Sequence, residues 1–289
     1  MEPAQAQRAL GAAISTASAL GLAVDEAVTL NDSNRMVVRL MPCDTVARVS
    51  PTTHHAGHQV SPEREVEVVR QLGQMNSPVA GLDTRVEPRV VERDGFKIAF
   101  WTYYQRAKPS PIPPTDYARA LGRLHADLQE AKVATAHVMD RVAAVQNDVA
   151  NHDVTPELTG VDRHFLASML RDLRRSIAGR HPPEQLLHGE PHSMNVLSTT
   201  KGPLFIDFEN TAYGPVEYDL AWTPRQVSDC YTGADQDLVG VCRGLVLAMV
   251  AAYRWRRDDQ HPSGRESGIA FLNVLQAGPP WPALDDVVW

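Results

Sequence analysis

From Val24 to about Tyr104 the apolar positions tend to recur every second residue, and beyond Pro114 they recur at helical spacing. The first pattern predicts strands over 24–30, 35–41, 45–50, 85–92 and 97–104. Turn-forming clusters separate several of them: Asn31-Asp32-Ser33-Asn34, Pro42-Cys43-Asp44 and Arg93-Asp94-Gly95. Two helices accompany these strands. Near the start, Leu10, Ile14, Ala17 and Leu20 share one face; the second runs from Pro62 to Leu72, with Ser61 as its cap and acidic residues near its N-terminal end. The run Lys108-Pro109-Ser110-Pro111-Ile112-Pro113-Pro114 cannot continue a helix or a central strand and reads as a linker. After it, Tyr117, Leu121, Leu124 and Leu128 mark one buried helical face. Further helices are expected over 138–150, 157–178 (Phe165, Met169 and Leu173 on one stripe), 216–231, 237–256 and 264–276, before an extended, Pro-rich tail.

At 289 residues and 43% apolar content, the chain can build real cores in one or two domains. Its 28 basic and 35 acidic residues argue against a nucleic-acid partner held by a general positive field, and they tolerate a cationic ligand. Cys43, Cys230 and Cys242 form no Cys-x-x-Cys pair, so reduced, buried thiols and a cytoplasmic location are expected. No run approaches the ~18 apolar residues of a membrane span, so no membrane partner is expected. Ser15, Thr16 and Ser18 interrupt the Ala-rich start, which favours a structural helix over a secretory segment.

The chemistry concentrates between His188 and Ala221. The loop His188-Gly189-Glu190-Pro191-His192-Ser193-Met194-Asn195 follows the apolar pair Leu186-Leu187 and carries a carboxylate and an Asn five residues apart. A short strand pair, 195–198 and 204–208, then delivers a second carboxylate, Asp207. Phosphoryl transfer needs a carboxylate to orient and deprotonate the acceptor hydroxyl, and an Asn and an Asp to hold metal against nucleotide phosphates. Hard oxygen donors with room for water and phosphate suit Mg²⁺.

Three blocks in order, His-Gly-Glu-x-x-x-x-Asn (188–195), Ile206-Asp207-Phe208-Glu209 and Gly214-Pro215-Val216-Glu217-Tyr218-Asp219-Leu220-Ala221, resemble the signature of the aminoglycoside phosphotransferase family, small-molecule kinases related to protein kinases. The resemblance implies an α+β, bilobal, protein-kinase-like fold. A β-rich N-lobe would take 1–104 and a helical C-lobe 105–289, with ATP or GTP and Mg²⁺ in the cleft between them. Glu190 would accept the proton of a small-molecule hydroxyl, and Asn195 and Asp207 would ligate metal. Val46-Ala47-Arg48-Val49 is similar to the kinase Val-Ala-Ile-Lys strand, which puts Arg48 on the phosphates with Glu65 of the following helix as its partner. Ser33 or Asn34 is the candidate phosphate contact in the first turn. Tyr103 lies where the hinge would read the purine. His188 and Asp219 read as structural, His125 as a packed helix residue, and His192 has no assigned role.

Three features depart from the family pattern: Glu190 stands where Asp is usual, Arg48 where Lys is usual, and the phosphate turn lacks glycine. They keep a rival reading open, a nucleotide-binding pseudo-enzyme. The acceptor is equally open between an aminoglycoside-like antibiotic and a metabolite such as choline, homoserine or a sugar. Asp285 and Asp286, with Asp229, Asp235 and Asp237, would favour an amine-bearing acceptor, against the plain alternative of a solvated acidic surface. His54, His55 and His58 lack a fourth ligand nearby and read as a polar loop.

Overall fold

The computed structural model describes residues 1–32, 35–52, 61–105 and 111–287. Ser33, Asn34, the His54/His55/His58 loop, Lys108 to Ser110 of the linker and the terminal Trp289 lie outside the described residues. The first elements in chain order are α1 (Pro3–Ala19), β1 (Val24–Asp32), β2 (Met36–Pro42), β3 (Thr45–Pro51), α2 (Pro62–Gln74), β4 (Val91–Arg93) and β5 (Phe96–Thr102). Then come α3 (Pro114–Glu130), α4 (Val138–Ala150), α5 (Gly160–Arg180), β6 (Gln185–Leu187), β7 (Val196–Thr199), β8 (Gly202–Phe205) and β9 (Ala212–Gly214). Four helices complete the chain: α6 (Val216–Trp222), α7 (Arg225–Cys230), α8 (Gln236–Arg254) and α9 (Gly264–Ala277).

These elements divide into two units. The first comprises Met1–Pro111 and Leu197–Glu209, and the second Ile112–Val196 and Asn210–Trp289. The excursion 197–209, which the sequence grouped with the helical part, thus belongs with the β-rich part.

In the first unit an antiparallel sheet has the order β1-β2-β3-β5-β4. Alternation decides which way its side chains point. Met36, Val38, Leu40, Ala47 and Val49 are buried with the alanines of α1, so Arg48, one residue out of phase, falls on the other face. The Arg93–Phe96 hairpin closes through Asp94 and Gly95, both with positive φ (51° and 81°), as a two-residue turn on a right-twisted ribbon requires. The expected strand over 85–92 shrinks to Val91–Arg93. Pro88 has no N–H to give a ladder, and Arg85 is turned back by its backbone N–H bond to Asp83 (3.0 Å). The ribbon segment ending in β8 is tied down by Phe205, whose N–H and carbonyl bond the Pro78 carbonyl (2.8 Å) and the Ala80 N–H (2.9 Å).

The second unit is helical. Val142, Val145, Leu166, Leu170, Leu245, Met249 and Phe271 are among the side chains of one apolar core. The buried stripe of α5 is Leu166, Leu170, Leu173 and Ile177, with Phe165 and Met169 only partly covered at its edge. Pro224 splits the helix expected over 216–231 into α6 and α7, because the residue before a proline is driven out of helical conformation; Thr223 has ψ 157°. α8 has the length and apolarity of a membrane-crossing helix, with mean hydropathy 1.4, but 67% of that window is buried within the protein. The tail is not simply extended: Leu284 to Asp286 form a 3-10 turn whose Leu284 and Val287 join the core. The three cysteines are free, and Cys230 is exposed rather than buried.

Candidate active site

In the second unit, β6 pairs antiparallel with β9 and carries the chain out of the core into His188. Gly189 is required there. Its φ is 96°, and a Cβ would come within 2.0 Å of the Asn210 carbonyl oxygen. The loop hangs on Asp219, which is fully buried on α6. Asp219 accepts the backbone N–H groups of His188 (2.9 Å) and Gly189 (2.8 Å), and its Oδ2 also meets His125 Nε2 at 3.0 Å. Nδ1 of the same ring faces the Tyr231 hydroxyl at 2.8 Å. A carboxylate accepts only, so Nε2 carries the proton toward Asp219 and the hydroxyl donates to Nδ1. Burial, together with Asp219 and Glu217, pushes the Tyr231 phenol up to about 12, and that keeps it a donor. Tyr117 braces the same loop, donating to the Pro191 carbonyl at 2.5 Å. Burial and the charges of Asp285 and Asp219 hold that hydroxyl protonated too.

Glu190 is half-buried, and one of its oxygens takes a bond from the Arg141 guanidinium of α4 at 2.5 Å. Burial opposes the charge on Arg141, but Tyr218, Glu190 and Tyr253 outweigh it, so the guanidinium stays firmly protonated. The Asn195 side chain is oriented by its own loop. Its Nδ2 donates to the Glu190 carbonyl (3.0 Å) and meets His192 Nε2 at 3.3 Å. That leaves the lone pairs of Oδ1 to accept or to ligate, and it gives His192 a contact the sequence did not assign. Ser193 donates to Asp285 at 2.5 Å, tying the C-terminal turn to this loop. Two of the other acids singled out in the sequence are engaged elsewhere: Asp229 lies 3.9 Å from Arg225, and Asp235 caps α8.

In the first unit, Arg48 donates to Glu65 of α2 and reaches Asp207 Oδ1 at 3.2 Å, with the Trp101 ring 5.3 Å from its guanidinium carbon. Glu65 is buried and also accepts the Phe208 N–H at 3.0 Å, so α2 fixes the backbone beside Asp207. Asp207 has φ 72°, a left-handed conformation that Asp tolerates better than most residues. Arg35, which the sequence reading placed only at the start of a strand, stands at the centre of the cluster. It donates to Asp207, pairs with Glu209 at 2.5 Å and lies 3.8 Å from Glu65. Burial works against its charge, yet Glu209, Asp207 and Glu65 together hold its pKa above the ordinary arginine value. Burial pushes Glu209 up, Arg35 pulls it down, and Asp207 and Glu65 add to the rise, leaving it at about 7. Tyr103 is half-buried, with Arg39 stacked 3.8 Å from its ring centroid.

The hard carboxylate oxygens of Asp207 in the first unit, and the amide oxygen of Asn195 in the second, are each of the ligand type that suits a divalent ion such as Mg²⁺. Among the described residues, however, no group of three or more His, Cys, Asp or Glu side chains is placed to hold a metal by itself.

The model of a family described as "Phosphotransferase enzyme family" matches residues 23–258. No curated protein matches the chain. Among solved structures, the chain is similar to the amicoumacin kinase hAmiN in complex with AMP-PNP, Ca²⁺ and Ami, at 11% identity over 98% of both chains and TM-score 0.69. It is also similar to the GDP complex of aminoglycoside 2'-phosphotransferase-IIIa, at 15% identity over 96% of this chain and 99% of the other, TM-score 0.68. A third is a choline/ethanolamine kinase family protein from Mesorhizobium loti, at 16% identity over 96% and 94%, TM-score 0.65.

Proposed function

The chain belongs to the phosphotransferase enzyme family, and on that premise we propose that it transfers a phosphoryl group from ATP or GTP to a hydroxyl of a small, amine-bearing molecule. The observation that carries the donor half is Arg48, held by Glu65 and reaching Asp207, a cation and a carboxylate pre-positioned for phosphates and their metal. Asn195, through Oδ1, and Asp207 would hold Mg²⁺. When bound, the ion supplies charge neutralisation for the phosphates. Glu190 orients the acceptor hydroxyl and takes its proton as the oxygen bonds phosphorus, and the nucleoside diphosphate departs. Arg141 fixes one Glu190 oxygen and leaves the other for the acceptor, which offsets the freedom of the longer stem. The acidic Asp285, tied to the Glu190 loop through Ser193, favours a cationic acceptor there.

A second reading, nucleotide binding without transfer, draws support from the guanidinium groups that hold Glu190 and Asp207. One experiment separates the two. ADP or GDP release is measured with purified protein against aminoglycosides, other hydroxylated antibiotics, choline, ethanolamine, homoserine and sugars. Transfer predicts release above the water background with at least one acceptor, lowered ~10²-fold or more in Glu190→Gln with nucleotide affinity retained. Release unchanged by that substitution removes Glu190 from the reaction. Nucleotide binding without release on any acceptor supports the second reading.

A further inference from the structure

Arg35 immediately precedes β2 and is the residue around which Glu65, Asp207 and Glu209 gather. Its guanidinium donates to Asp207, pairs with Glu209 at 2.5 Å and lies within 3.8 Å of Glu65. Arg48 donates to Glu65 and to the other oxygen of Asp207. Both arginine side chains are 13% exposed, so neither is a loosely held surface group. With all groups ionised the cluster holds three negative and two positive charges, and Arg35 is the cation shared by all three carboxylates. A guanidinium is permanently charged and cannot relieve the cluster by losing its proton. Any divalent ion that takes up Asp207 must compete for an oxygen already held by arginine.

We infer that Arg35 is a place-holding cation: it neutralises the Glu65–Asp207–Glu209 cluster in the nucleotide-free protein and competes with the divalent ion for Asp207, so that metal enters together with phosphates rather than alone. The inference rests on the reading of Asp207 as a metal ligand, but it concerns binding and not transfer. Arginine makes the site a poor trap for free metal, because entry costs the Arg35–Asp207 bond. Nucleotide phosphates lower that cost by supplying ligands of their own and an anionic surface for the displaced guanidinium. A lysine at this position could not touch three carboxylates in one plane, since its ammonium is a compact point charge.

The test is Mn²⁺ binding without nucleotide, followed by calorimetry and by electron paramagnetic resonance, in wild type, Arg35→Met and Arg35→Lys. Removing one positive charge a few Å from the ligands should tighten Mn²⁺ by ~10-fold or more, since a unit charge at 4 Å is worth several kcal/mol at an effective dielectric near 20. Arg35→Lys should fall between the two. Mn²⁺ affinity in a folded Arg35→Met variant equal to or weaker than wild type overturns the inference. Should Arg35→Met fail to fold, the wild-type Arg35 Nε–Hε resonance decides: it should move when MgADP is added, and an unchanged resonance at saturation overturns the inference. Asp207→Ala separates this from the functional reading. If Mn²⁺ binds that variant as it binds wild type, Asp207 is no ligand and the premise itself fails; if Mn²⁺ binding is lost, the premise stands and the arginine variants alone decide.

Discussion

Asp219→Asn removes a charge and almost no volume, so its effect reports on the suspension of the Glu190 loop alone. The carboxylate is fully buried and accepts from two backbone N–H groups at 2.9 and 2.8 Å and from His125 at 3.0 Å. Hydrogen bonds to a charged group contribute about 1.5–3 kcal/mol each, and the asparagine amide must turn an N–H toward at least one of these donors. Losing one such bond, weakening the others and leaving a buried donor unpaired amounts to roughly 3–5 kcal/mol. For a unit of this size each kcal/mol lowers Tm by about 2–4 °C, so a fall of about 6–20 °C is expected. Turnover should fall on the order of 10²-fold, the scale associated with ~1 Å misplacement of a reacting group. Thermal unfolding gives the first quantity. Hydrogen exchange at the His188 and Gly189 amides locates it, because those amides should lose protection before the α5 and α8 amides do. A fall of less than ~3 °C with both amides still protected would refute the account of Asp219 as the loop's anchor.

Two further outcomes follow from local geometry. Gly189→Ala should cost ~2 kcal/mol or more in chemical denaturation, because a Cβ meets the Asn210 carbonyl at 2.0 Å and φ is 96°; wild-type stability would show that the loop can move aside. The buried Asp83 resists its own desolvation through bonds from the Arg85 side chain, the Thr45 hydroxyl and the Arg85 N–H, which hold its pKa below the ordinary carboxylate value. A carboxyl with a depressed folded pKa contributes stability that is present above its unfolded pKa of ~3.9 and lost as pH falls through the folded value. The stability difference between wild type and Asp83→Asn should therefore shrink as pH falls below about 4; a constant difference down to pH ~2 would sink the assignment.

What could be read from the sequence was what short-range pattern encodes. The strands of the first unit show as alternation, which also turns Arg48 away from the face that buries Ala47 and Val49; its contact with Glu65, rather than Glu63 or Glu67 of the same helix, was legible only through the resemblance to the kinase strand and helix. The loop from His188 to Asn195 could be read because five residues fix the spacing of its carboxylate and amide. Proline chemistry was underweighted. Pro88 cut the strand expected over 85–92, and Pro224 cut the helix expected over 216–231. Arg35 and Arg141 left no local signal. They meet their carboxylates at separations of 172 and 49 residues, and Arg35, just before a strand, and Arg141, within a helix, stand where a solvated arginine would read the same. Both belong beside the departures that the sequence did show. Glu190 carries one methylene more than an aspartate, and Arg141 holds one of its oxygens at 2.5 Å. Arg48 stands where lysine is usual, and Arg35 shares its carboxylates Glu65 and Asp207. A departure from a motif is thus better weighed together with the buried charges around it than alone, because a single guanidinium can restore the geometry or the charge that the departure removed.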